Sequence, residues 1–165
     1  MKVAIFFGSK SDSDTMKKAA EVLKEYGVEY KGFIISAHRA GAVLRETVGQ
    51  VEAEGFEVII AGAGLAAALP GVIAGATTLP VIGVPLECVT PGKSNGLGGL
   101  DALLSIAQMP PQIPVATVGI NSAKNAAYLA LEILAIKYPE LKERLAAFRK
   151  KLADEAKSGG IDVKL

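Results

Sequence analysis

The stretch EVIIAGAG, residues 57–64, runs from one acid through three β-branched residues into four positions occupied only by alanine and glycine. Its apolar residues do not alternate with polar ones and the run is short, which reads as a strand covered on both faces, as in a parallel sheet between helical layers. The glycine-rich end reads as a turn. Whether this fixes the fold depends on finding partner strands of the same kind.

Partners lie on both sides of it. KVAIFF (2–7), VEYKGFIIS (28–36), PVIGVP (80–85) and IPVATVGI (113–120) are short Val/Ile/Phe runs separated by segments of helical period, the alternation expected of βαβ units. After the first strand, Ser11 or Asp12 is expected to cap a helix whose stripe is Met16, Ala19, Ala20, Leu23 and Tyr26, with Gly27 as its stop. Residues 40–54 predict a second helix with Val43, Leu44, Val48 and Val51 on one face and Gly55 as its stop. LAAALPGVIAGATT (65–78) reads as a short helical segment that Pro70 breaks or restarts. LECVTPGKSNGLGG (86–99) reads as a mobile loop. LDALLSIAQM (100–109) is helical, and Asn121 or Ser122 caps a helix to about Ile136. Pro139 opens a charged amphipathic helix whose polar residues, 140–157, read as a solvated face. The expected architecture is a three-layer α/β/α domain resembling the flavodoxin-like arrangement, with about five parallel strands. We expect a single domain over 1–165, with a core of 1–138, a C-terminal helix of 139–157 and a frayed tail of 158–165.

Composition narrows the class. Eighteen basic against seventeen acidic residues leave a formal charge of +1, so no bulk field favours nucleic acid or an anionic membrane. Half the residues are hydrophobic and mean hydropathy is +0.36, without an apolar run of about 18 residues that would span a bilayer. The surplus is read as buried interface between subunits. One cysteine, Cys88, excludes an internal disulfide, and with one histidine, His38, it excludes the common zinc ligand sets. The start MKVAIFFGSKSD leaves no room for a signal peptide, so a cytoplasmic enzyme or binder is expected.

Ligands of open parallel sheets bind beyond the carboxyl ends of the strands, which selects four loops. GSKSD (8–12) brings Gly8, hydroxyls and Asp12 to a helix N-terminus, where free amides favour an anion, although an ordinary capped turn has the same composition. It is neither a Walker A loop nor a GxGxxG fingerprint. SAHRAG (36–41) holds His38, able to give and take a proton near neutrality. Arg39 beside it suits bidentate binding of phosphate or carboxylate; its bland alternative is a surface ion pair to Glu54 or Glu57. The small residues of AGAGLAAALPG (61–71) permit close backbone approach to a flat ligand, and equally permit close helix packing. Cys88 lacks a second histidine to activate it as a nucleophile.

Taken in order, GSKSD at 8–12, SAHR at 36–39, AGAG…LPG at 61–71, LPVIGVP at 79–85, LDALLSIAQMP at 100–110 and IPVATVGIN at 113–121 resemble the PurE family of purine biosynthesis. The resemblance implies an octamer of flavodoxin-like subunits, with no metal and no organic cofactor. It implies conversion of N5-carboxyaminoimidazole ribonucleotide to 4-carboxy-5-aminoimidazole ribonucleotide. The carbamate is split to the amine and CO2, and ring carbon C4 is then carboxylated. By resemblance His38 is the general acid and base, Arg39 holds the phosphate, and Ser9 and Asp12 bind the substrate. Gly8, Ser36, Ala37, Gly62, Ala63, Gly64 and Leu69 are expected to line it.

The chain also departs from the pattern. The mutase branch reads SAHRTP and AGAGGAAHLPG, whereas here Ala40 and Gly41 follow SAHR, Leu65 replaces a glycine and Ala68 a histidine. The segment after the fourth strand is longer. The branch that uses free CO2 carries Lys where this chain has Arg39, and AGRSN where it has AGAGL. Two alternatives therefore stand beside the mutase: an aminoimidazole ribonucleotide carboxylase using free CO2, and a diverged paralogue serving as a mononucleotide-binding module.

Overall fold

The computed structural model describes residues 1–90 and 93–160, the last three by backbone alone. Strands β1 (Lys2–Phe7), β2 (Glu29–Ile34), β3 (Val58–Gly64), β4 (Val81–Leu86) and, after a two-stranded hairpin of β5 (Cys88–Thr90) and β6 (Lys93–Asn95), β7 (Ala116–Thr117) alternate with helices. These are α1 (Ser13–Glu25), α2 (Gly41–Ala53), α3 (Leu69–Ala74), α4 (Leu100–Ala107), α5 (Ala123–Ala135) and α6 (Pro139–Gly160). The main sheet is parallel throughout, in the order β2-β1-β3-β4-β7. This is the flavodoxin-like arrangement, with its switch point between β1 and β3.

β3 explains why the layers form. Val58 and Ile60 face one core with α1, α5 and α6, while Ile59, Ala61 and Ala63 face the other with α2, α3 and α4. Every residue from Val58 to Ala63 is buried, which only a strand with helices on both faces achieves. On the first face α5 presents Ala123, Ala126, Ala127 and Ala130, all fully buried. Residues this short let α1 lie close beside α5.

Several expectations are corrected. β2 stops at Ile34 and is largely exposed, because it is an edge strand with β1 as its one neighbour; only Phe33 stacks on Phe6, with ring centroids 4.7 Å apart. β7 pairs over two residues, Ala116 and Thr117; Pro114 before it has no N–H to donate, and beyond it the chain stays beside β4 through single bonds, Val118 N to Gly83 O at 3.1 Å and Asn121 N to Pro85 O at 2.8 Å. Val43 is 54% exposed rather than on the buried face of α2. Residues 86–99 hold the β5–β6 hairpin where a mobile loop was expected. Pro70 lies in the first turn of α3 and starts it. The last helix continues to Gly160, so of the expected frayed tail 158–165, residues 161–165 lie outside those described.

α6 is not solvated along all its polar positions. Arg144 donates to the carbonyls of Tyr26 (2.7 Å) and Glu25 (2.9 Å), neutralising the negative end of α1. At the amino edge of the sheet Glu57 accepts from Lys137 Nζ at 2.7 Å and from Tyr138 Oη at 3.0 Å. Partial burial pushes the Glu57 carboxyl up, but the bonds from Lys137 and Tyr138, with the N-terminal amine, hold it below the usual value. A carboxyl so depressed adds stability above its unfolded pKa and loses it as pH falls through the folded value. Glu57→Gln is expected to lower Tm by about 2–4 °C at pH 7 and to flatten the acid limb of the Tm–pH curve, read by thermal unfolding between pH 3 and 7.

Candidate functional site

Ser9 lies two residues beyond β1 in extended conformation. Its hydroxyl accepts from Ser11 N (3.4 Å), and Asp12 accepts in return from Ser9 N (3.1 Å). This reciprocal pair is a capping box: Ser9 caps a single turn of 3-10 helix that leads into α1, and Asp12 occupies the cap position of α1 itself, as expected, without a side-chain bond to that helix. Desolvation raises the Asp12 carboxyl above its usual value, opposed by the hydrogen bonds from Ser11 and Ser9. The turn thus holds a partly buried acid whose charged form gains from any further donor brought to it.

β2 gives way to a turn closed by Ala40 N donating to Ser36 O at 2.9 Å. His38 and Arg39 sit on this turn, ahead of α2. Both side chains are exposed, and neither forms a hydrogen bond or ion pair among the described residues. The ion pair that was the alternative for Arg39 is not formed: Glu54 pairs with Lys31 and Glu57 with Lys137. Ala40 occupies the cap position of α2 with no side-chain bond to the helix, and Gly41 is its first residue. The departure from SAHRTP is therefore at a helix start, where Thr and Pro are favoured residues.

The loops meet in a cavity of about 250 Å³. One wall is polar, made by Gly8, Ser9, Ser11, Asp12, Ser36, Ala37 and His38; the other is apolar, made by residues 63–69 and Cys88. Of the expected site residues Arg39 and Gly62 are outside the lining. Arg39 stands beside His38 on the exposed turn. Gly62 is buried, and a Cβ there would meet Met16 Sδ at 2.5 Å and Leu86 Cδ1 at 3.1 Å. Its small size serves packing of α1 on the sheet. Ser11, Ala66, Ala67 and Cys88 were missed as wall residues. Serine in a capping turn and alanine in a small-residue run carry no signal of their own.

Leu65 takes φ 55°, a left-handed conformation that costs a non-glycine residue roughly 1–2 kcal/mol. Ala67 N donates to Leu65 O at 2.9 Å and Ala68 N to Ala66 O at 2.7 Å, turning the chain tightly into α3. The described residues contain no cluster of three or more His, Cys, Asp or Glu able to hold a metal.

Comparison with known proteins places this geometry in context. The family described as AIR carboxylase matches residues 2–155. The chain is 60% identical over 148 residues to an N5-carboxyaminoimidazole ribonucleotide mutase of Pyrococcus abyssi, covering 90% of this chain and 82% of that one. It is 48% identical over 157 residues to the protein of the same name from Saccharolobus solfataricus, covering 95% and 96%. The crystal structure of Treponema denticola PurE superposes with TM-score 0.79 at 27% identity, covering 97% of this chain and 99% of that one. Because the Ala40 cap position offers no acceptor, Ala40→Thr is expected to raise Tm by about 2–4 °C without altering turnover, measured by thermal unfolding and steady-state assay.

Proposed function

The chain belongs to the AIR carboxylase family, and from that premise we infer that it isomerises N5-carboxyaminoimidazole ribonucleotide to 4-carboxy-5-aminoimidazole ribonucleotide, a step of purine biosynthesis. The observation that carries the reading is that His38 shares one cavity with Ser9 and Asp12 while forming no hydrogen bond of its own within the described chain. An imidazole so placed is free to exchange a proton with a bound substrate.

In the proposed sequence the N–C bond of the carbamate breaks, its electron pair stays on nitrogen, and protonated His38 supplies the proton there. Carbon dioxide is released inside the cavity. C4 of the electron-rich ring then attacks it, forming the new C–C bond, and neutral His38 removes the C4 proton. The histidine ends as it began, and no net proton is consumed. Ser9 and Asp12 hold the polar groups of the substrate, with Gly8, Ser36, Ala37, Ala63, Gly64 and Leu69 around it. A cavity of about 250 Å³ is below the usual range for whole ligands, so the imidazole occupies it while the ribose phosphate extends to the rim. Arg39 is assigned to that phosphate. The uncapped first turn of α2 beside it adds free amides and a positive helix end for the same anion.

We extend the reading to a homo-octamer working in the cytoplasm without metal or organic cofactor. Support for the assembly comes from the high apolar content, half of all residues, together with large apolar side chains left in solvent on the single chain, among them Ile136 at 88% and Leu97 at 68% exposure. No helix among the described residues is long and apolar enough to cross a membrane. The carboxylase using free CO2 is not favoured, since Arg39 and AGAGL are not its residues. The paralogue binding module is separated by assay.

The purified enzyme is expected to form carboxylated product from the N5-carbamate at low enzyme concentration, and not from the free amine with bicarbonate at physiological levels. His38→Asn is expected to lower kcat by about 10²–10⁴-fold with substrate binding retained, whereas Arg39→Ala raises KM. Full turnover by His38→Asn would remove the histidine from the chemistry.

A further inference from the structure

Two departures from the mutase pattern, remote in sequence, touch in space. Leu65 stands where that pattern has a glycine, and residues 86–99 form a longer segment carrying the β5–β6 hairpin. Leu65 Cδ2 lies 3.0 Å from the place a Cβ of Gly96 would occupy. Gly96 takes φ 74° just beyond β6, and the Asp101 carboxylate presses on the same place from α4. The seat is therefore open to the leucine because residue 96 has no side chain. On the other side Gly64 is pinned beneath the Leu86 carbonyl, 3.0 Å from its Cβ position, and Cys88 at the root of the hairpin lines the cavity. A leucine kept in the left-handed region is a strained choice that persists where its surroundings over-determine it. Here the hairpin supplies those surroundings.

What the leucine gains the site follows from the isomerase reading, on which this inference rests. Between bond breaking and bond making the cavity holds an amine and carbon dioxide. Carbon dioxide is uncharged and a poor hydrogen-bond acceptor, so the polar wall retains it weakly and exclusion must do the rest. On the apolar wall Ala66, Ala67 and Ala68 are short and Leu69 is turned into the core at 3% exposure. Leu65, 42% exposed and lining the cavity, is the one large side chain of that loop still facing outward. We propose that Leu65, seated on Gly96 of the hairpin, is a positioning residue that closes the apolar flank of the cavity and retains carbon dioxide between the two half-reactions.

The test compares wild type, Leu65→Gly and Leu65→Met on the N5-carbamate in a medium containing ¹³C-bicarbonate. Carbamate consumption, carboxylated product, free aminoimidazole ribonucleotide above uncatalysed breakdown, and label in the product are followed together. Glycine suits the left-handed position, so Leu65→Gly is expected to stay folded, with Tm within about 3 °C of wild type. It is expected to consume the carbamate within about threefold of the wild-type rate, yet to divert a several-fold larger share to free amine and to carry label into the product. Leu65→Met, of similar volume and flexible enough to reach the same seat, is expected to restore the wild-type partition. A folded Leu65→Gly enzyme with wild-type partition and unlabelled product would overturn the proposal, as would a rate loss with partition unchanged. Failure of the wild-type enzyme itself to consume the carbamate would instead overturn the isomerase reading.

Discussion

The constraint on which the structure depends is the double burial of β3. Its first half is β-branched and fills both cores; its second half is stripped to alanine and glycine so that Met16 of α1 and the end of β4 can close over it. Bulk in the lower half drives the layers together at roughly 25 cal/mol per Å² of apolar surface removed from water. Absence of bulk in the upper half lets the loops beyond β1, β2 and β3 converge on one cavity. The same seven residues thus set both the packing and the place of the site.

The site divides its labour between walls. Side chains with exchangeable protons come from the turns after β1 and β2, and the small apolar residues come from the turn after β3. The proposed reaction, which moves a carboxyl group from nitrogen to carbon by way of carbon dioxide, calls for both: donors and acceptors to carry one proton back and forth, and a surface with little affinity for water beside an uncharged gas. Asp12 illustrates the cost of such a place, since burial there works against its own charged form.

Much of this was legible in the residues. The first, third and fourth strands carry unbroken apolar runs and lie within a residue of where those runs put them. The edge strands read as strands but too long, because apolar content marks a residue that can be buried, not one that has a neighbour; β7 has one partner and keeps only two paired residues. The β5–β6 hairpin carries a sequence signal in the β-branched pair Val89 and Thr90. Within the site, His38, Ser9 and Asp12 were visible because their chemistry is rare or patterned. Gly62 lies outside the cavity lining, and a glycine needed for packing has the same letter as one needed for a ligand. Ala40 and Gly41, which depart from the family pattern, stand at the helix start that the period of residues 40–54 predicts. Sequence alone gives no depth, and depth separates those roles.

The cluster of Glu57, Lys137, Tyr138 and the chain's amino group lies at the opposite end of the sheet from the cavity. Six steps along β3, from Glu57 to Ala63 at about 3.3 Å each, separate the two by about 20 Å, beyond the distance at which substitutions usually stop influencing one another. Thermodynamic robustness and chemistry are therefore adjustable apart in this scaffold. Mutations that strengthen the amino-edge tether can accumulate as a reserve, and that reserve is available to absorb destabilising experiments at the carboxyl edge, where new substrate preferences would have to arise.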